Sequence, residues 1–155
     1  MKFTATKVTA QPEILKVHTG GEYTKPVLLA DSAFTNGVCK AGAPISANGL
    51  IANGAAYVET ADTEMQEGKT YYTESSGSYT KFTGSSFSPG TTYYEKSGDE
   101  ATAAEGILLN DVTDDNPNGT ILVAFGVVNT ANAEANANIT IASGVKTTLA
   151  NIVFA

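Results

Sequence analysis

The sequence predicts a mainly β fold: a small barrel or sandwich with one short C-terminal helix and a β-hairpin insertion. Three observations lead there. Two continuous apolar runs, Ile107-Leu108-Leu109 and Ile121-Leu122-Val123-Ala124-Phe125, have the length and composition of strands buried on both faces. Asn-Gly pairs at 36–37, 48–49 and 53–54 break the preceding chain at the short intervals of a compact barrel or sandwich. Charged residues make up only 16%, against a usual ~25%. Gly, Ser, Thr, Asn and Ala take their place, a composition that suits strands and turns better than long helices.

The two apolar runs flank a polar loop, Thr113 to Gly119, rich in Asp, Asn, Pro and Gly. Asn118-Gly119 is expected to supply the positive φ angles of a tight return, which makes the pair a β-hairpin at the centre of the core. A chain of 155 residues is one domain, or one with a small insertion, and is long enough to bury a real core. The formal net charge is −7 and no Lys/Arg cluster occurs, so nucleic-acid binding is not expected. One cysteine cannot close an internal disulfide. The opening Met1-Lys2-Phe3-Thr4-Ala5 lacks the apolar run of a secretory signal, and no stretch reaches the ~18 apolar residues of a membrane span. The expectation is a protein made in the cytoplasm, with no membrane partner.

Taken in order, residues 1–25 hold scattered apolar positions without a clean period, interrupted by Pro12 and closed by a turn at His18-Thr19-Gly20-Gly21. An edge strand or ordered leader is one reading; an arm that adds a strand to a neighbouring protein is the other. Residues 26–56 are short strands and turns. Cys39, beside Val38, reads as a small buried hydrophobe, since a nucleophile would need an activating base and nothing orients the one histidine, His18.

Residues 57–98 differ in kind, with six of the seven tyrosines. Tyr57 through Ser75 returns 22 residues later as Tyr79 through Ser97: Tyr57 matches Tyr79, Met65 matches Phe87, and Gly68-Lys69-Thr70-Tyr71-Tyr72 matches Gly90-Thr91-Thr92-Tyr93-Tyr94. Two such units can pair as hairpins, with Ser75-Ser76-Gly77-Ser78 as one turn. The tyrosines form this segment's own core, or a surface on which sugars or a partner protein stack. In strands, one of each adjacent pair, Tyr71-Tyr72 and Tyr93-Tyr94, points inward and the other outward. Asn129 to Asn138 reads as a loop or a frayed helix, Ser143 as the cap of a short helix through Leu149, and Ile152-Val153-Phe154 as a final strand.

Candidate chemistry is sparse. Asp114, Asn116, Asn118 and Gly119 match the first half of a calcium-loop pattern, but Phe125 stands where the closing Glu belongs; no metal or other cofactor is expected. Asp111, Asp114 and Asp115 sit in a loop expected to be exposed, with no apolar pocket to raise a pKa. The chain reads as a non-enzyme, with no catalytic residues.

Three blocks carry a resemblance. Gly106-Ile107-Leu108-Leu109-x-Asp111-Val112 with its acidic loop and the Ile121-Leu122-Val123 strand, the segment Val38-Cys39-Lys40-Ala41-Gly42-Ala43-Pro44-Ile45-Ser46 followed by Gly49, and the ending Leu149-Ala150-Asn151-Ile152-Val153-Phe154 together resemble the head decoration proteins of tailed phages, in that family's order. The resemblance implies a decoration-protein core over 26–56 and 99–155, and an N-terminal arm over 1–25 that contacts the major capsid protein through Phe3, Thr4, Ala5 and Val8. It also implies a homotrimer with Ala41, Gly42, Pro44 and Ile45 near its axis, on the outer capsid surface of a virion assembled in a host bacterium. The family core lacks residues 57–98, which therefore read as an inserted subdomain projecting outward. Tyr71, Tyr72, Tyr93 and Tyr94 are its candidate ligand-binding residues, and an adhesin-like module contacting host or mucosal glycans is the alternative function.

Overall fold

The computed structural model describes residues 13–18 and 20–155, and the fold is mainly β. Its centre is the antiparallel pair of Ala104–Leu108 (β9) and Asn118–Ala124 (β11), with Ile121 opposite Leu108 and Leu122 opposite Ile107. Opposed residues in a ladder project to the same side, and the two couples project to opposite sides. Ile107 and Leu122 join one core with Ile14, Val128, Ala133, Ile141, Val145, Leu149 and Ile152. Leu108 and Ile121 join a second with Leu29, Ala33, Cys39, Ala43, Ile45 and Val112. All four central side chains are fully buried, as the unbroken apolar runs require.

Tyr23–Leu28 (β2) pairs with the outer side of β11, and Pro44–Ser46 (β4) with β9, giving a sheet of order β2-β11-β9-β4. On one side, Leu15–Val17 (β1), Val127–Val128 (β12) and Val153–Phe154 (β13) form a three-stranded sheet, β13 running parallel to β12. On the other, Val38–Cys39 (β3) pairs with Val112–Thr113 (β10). Among the described residues no sheet closes into a barrel, so the sandwich half of the expected fold class is the one that forms.

Several local expectations are corrected. Asn118-Gly119 is not the turn: both residues lie in β11, opposite Leu28 and Val27, and neither has a positive φ. Gly119 is there for space, since a Cβ would stand 2.9 Å from Leu108 Cδ1 and 3.2 Å from Val112 Cγ2. The return is made earlier, where Asn116 N–H bonds Thr113 O. Asp111 is not an exposed loop residue; its carboxylate accepts from Lys40 Nζ, Ala41 N–H and Asn136 Nδ2. Thr130–Ala137 is a helix (α1), capped by the Asn129 side chain on Asn132 N–H and ended by Asn138 in the left-handed conformation. Ser143–Thr148 is a second (α2), in which Ser143 is the first helical residue and Ala142 the cap. The arm expected over 1–25 is part of the fold from Glu13 onward: Ile14 is buried in the first core, β1 pairs with β12, and Tyr23 begins β2. Residues 1–12 and Thr19 lie outside the described part.

Residues 56–97 fold as a sheet of their own, from Ala56–Glu59 (β5), Tyr71–Ser75 (β6), Ser78–Lys81 (β7) and Tyr94–Ser97 (β8), in the order β5-β8-β6-β7. The turn between β6 and β7 is the expected one, with positive φ at Ser76 and Gly77. The two sequence copies do not fold as successive hairpins. Each copy's first strand pairs with the other's second: Tyr57 faces Lys96 as Tyr79 faces Glu74, and Glu59 faces Tyr94 as Lys81 faces Tyr72. The second strands meet in the middle at Tyr72 and Tyr94. Thr60 N–H to Tyr93 O and Phe82 N–H to Tyr71 O repeat the same relation. The copies are intertwined about an internal two-fold axis.

The close approach of α1 to the chain after β3 makes a test. A Cβ on Gly42, at φ +95°, would meet Ala133 O at 2.5 Å and Ala133 Cα at 2.6 Å, whereas Gly90, at φ +78°, has nothing within 4 Å. Gly90→Ala should cost about 1–2 kcal/mol of backbone strain, and Gly42→Ala at least ~2 kcal/mol more, because the helix must move. Urea unfolding of the two variants checks the order.

Candidate functional site

The insertion is built on two aromatic clusters, one on each side of its sheet. On one side Tyr57 and Tyr79 stack at 4.0 Å with planes 1° apart, and Tyr72 and Tyr94 meet them edge-on at 5.1 Å each. These come from β5 and β7, the outer strands, and β6 and β8, the inner ones, so the sheet curls until its edges touch. On the other side Tyr71, Phe82, Phe87 and Tyr93 pack, Phe87 on Tyr93 at 4.1 Å and edge-on to Tyr71 at 4.8 Å. Tyr71 and Tyr93 are buried, and each hydroxyl accepts from the backbone five residues upstream, Gln66 N–H at 3.0 Å and Ser88 N–H at 2.9 Å. The pairwise inward–outward division holds: Tyr71 and Tyr93 are interior and offer no ligand surface, while Tyr72 and Tyr94 are half-buried. The tyrosines are in the first place each other's core.

The copies part company in their charges. Only the first carries Asp62 and Lys69, where the second has Gly84 and Thr91. Lys69 Nζ donates to Asp62 Oδ2 at 2.9 Å and to Glu95 Oε1 at 3.1 Å; Tyr71 donates to the same Asp62 oxygen at 2.7 Å, and Thr60 to Glu95 at 2.6 Å. The bonds from Lys69 and then Tyr71 hold the Asp62 carboxyl below the usual range, and those to Asp62 and Glu95 hold the Lys69 ammonium above its own.

This charged end of the sheet faces the core. Ala56 and Ser97 are opposite each other, so the insertion leaves and re-enters side by side. At the join Asp99 is buried: Ser46 Oγ donates to its Oδ2 at 2.7 Å, Lys96 Nζ to its Oδ1 at 2.9 Å, and its backbone bonds Ile51 O and Gly54 N–H. Burial pushes the Asp99 carboxyl up, but the bonds from Ser46 and Lys96 outweigh it and hold the group below the usual carboxylate range. Above the join lies an open cleft of about 660 Å³ between Asp31, Ser32, Asn48 and Leu50 of the core and Lys69, Thr70, Tyr72, Glu95 and Lys96 of the insertion.

The remaining expected site residues fall elsewhere. Phe3, Thr4, Ala5 and Val8 lie outside the described residues. Ala41, Gly42, Pro44 and Ile45 are buried within the chain, under α1 and in β4, and a side chain without exposed surface cannot meet a neighbouring subunit. Cys39 is buried, with its thiol pushed up to about 11 by burial and by the Asp111 charge, the state of an inert core residue. Among the described residues no group of three or more His, Cys, Asp or Glu side chains is placed to hold a metal ion. Sequence reasoning missed Asp31, Asn48, Lys69, Lys96 and Asp99. A signal for Lys69 and Lys96 was present in the repeat, where their counterparts are Thr91 and Glu74.

Asp99 gives a pH dependence of known sign. Its folded pKa is depressed, so its contribution to stability is complete above the unfolded value of ~3.9 and fades as pH falls through the lower folded value. Asp99→Ala should cost about 1–3 kcal/mol at neutral pH, because Ser46 and Lys96 lose a buried partner. The gap between variant and parent should narrow as pH falls below ~4; a gap constant down to pH ~2 in thermal melts would contradict the assignment.

No family model, curated protein or solved structure compared with the chain matches it.

Proposed function

We propose that the chain is a capsid decoration protein that coats the outside of a tailed-phage head as a homotrimer, bound to the major capsid protein. The observation that carries this reading is the meeting of the three resembling blocks. The Val38–Ser46 block supplies β3 and β4, the Gly106–Val128 block supplies β9 to β12, and the C-terminal block supplies β13; β3 pairs with β10, β4 with β9 and β13 with β12. Residues 57–98 interrupt this unit at one place, where the chain leaves and returns side by side, as an outward-projecting addition requires.

The contact surface lies on the three-stranded sheet. Val17, Val127 and Val153 are lateral neighbours across it; Val17 and Val153 are exposed, and so is Phe125 beside them, whose N–H bonds Asn151 O. Phe125 has φ +61°, a conformation that a bulky residue holds only under constraint. An exposed apolar row of this kind suits docking, and in this reading its partner is the shell. Three copies held by one trimer make modest single contacts durable. A second reading, a module contacting glycans through the insertion, is favoured by the half-buried tyrosines Tyr72 and Tyr94.

Replacing Val58 to Ser97 with a short Gly/Ser linker should leave the trimeric state in light scattering and co-sedimentation with assembled heads unchanged. Phe125→Asp should abolish co-sedimentation while the chain stays folded by circular dichroism. A folded parent protein that stays monomeric and never sediments with heads overturns the proposal.

A further inference from the structure

We infer that the cleft between the insertion and the core is a saccharide-binding site, with Tyr72 as its aromatic side and charged groups of both signs as its hydrogen-bonding walls. The duplicated unit supplies its own control. Residues common to both copies, such as Tyr57 and Tyr79, Gly68 and Gly90, Tyr71 and Tyr93, are what the intertwined fold needs. Lys69, Asp62 and Lys96 are not among them, since their counterparts across the repeat are Thr91, Gly84 and Glu74 within the same intertwined sheet. Among these, Lys69 and Lys96 line the cleft, and Asp62 holds Lys69 in place. Ammonium groups with no basic counterpart at the equivalent positions, gathered against the core, answer a need other than folding.

The walls select the ligand class. Lys69 is paired with Glu95 at 3.1 Å and Lys96 with Asp99 at 2.9 Å, and the Asp31 carboxylate, the Ser32 and Thr70 hydroxyls and the Asn48 amide line the same cleft. An anion or a cation would meet groups of its own sign. A neutral polyol would not, because each hydroxyl both donates and accepts, so neighbouring hydroxyls satisfy a carboxylate and an ammonium together. Lys69 has spent two of its three protons, on Asp62 and Glu95, and its side chain stays 43% exposed, leaving one donor aimed at solvent. The volume, about 660 Å³, lies within the roughly 300–1,000 Å³ usual for small-ligand sites. The tyrosine cluster of Tyr57 and Tyr79 is the poorer platform, because those rings already stack on each other. The inference deepens the glycan reading and is independent of the shell-binding one.

The test is an amide-shift titration of the labelled full chain with N-acetylglucosamine, galactose, mannose and glucose, and with inorganic phosphate as the anionic control. At least one sugar should give saturable shifts at Ser32, Asn48, Thr70 and Tyr72, and phosphate none. Asp31→Ala and Lys69→Thr, on opposite walls and both at exposed positions, should each weaken binding roughly tenfold. Thr91→Ala, at the mirror position, should leave it unchanged. Sugar shifts confined to Tyr57 and Tyr79, and unaffected by the wall variants, overturn the cleft and keep the glycan reading. Shifts with phosphate alone, or with no sugar, overturn both and leave co-sedimentation with heads as a separate question.

Discussion

The rest of the fold depends on the β9–β11 pair being apolar on both faces. A sheet with one wet face organises one core; this pair organises two, because Ile107 and Leu122 look one way while Leu108 and Ile121 look the other. The first core needs the helices and the three-stranded sheet to cover it, and the second needs β3, β10 and the chain around Ala33. Gly119, inside β11, keeps the wall thin where Leu108 and Val112 press against it. Large-to-small changes at such positions typically cost 2–5 kcal/mol, and here each would loosen one core while leaving the other side of the same strand intact.

What was legible in the sequence was whatever a local pattern encodes by itself. Unbroken apolar runs gave the buried strands, Ser76-Gly77 gave its turn, and the adjacent tyrosines gave their inward and outward members. What failed were signals whose meaning depends on a distant partner. Asn118-Gly119 carries turn chemistry, but Leu108, Val112 and Val27 use the missing side chain as space. Helix α1 has a single buried side chain, Ala133, so no hydrophobic period announces it; its place is set by contact with Gly42. Ala41, Gly42, Pro44 and Ile45 were expected near a trimer axis from the resemblance, whereas their apolar, Gly-containing block is buried within the chain, beside the helix and in β4. The cleft was invisible because its two walls are far apart in the chain.

The duplicated insertion shows how related sequence blocks divide their labour. Intertwining means that neither copy has a sheet without the other, so shared residues serve the pair and differences are left to the surroundings. One half faces solvent and is nearly uncharged at the equivalent positions; the other faces Asp31, Asn48 and Asp99 and carries the network of Lys69, Asp62 and Glu95. Here the environment, and not the fold of the unit, explains the divergence.

The side-by-side departure of residues 56 and 97 has a mechanical meaning. A module held by one strand can swivel about any axis, but two attachments lying next to each other make a hinge with a single easy direction. The Asp99 bonds to Ser46 and Lys96 cross that join as a latch, and any turn about it would open or narrow the cleft. Anything seated between the two walls would therefore act as a wedge or a glue, fixing the angle at which the insertion stands from the body of the protein.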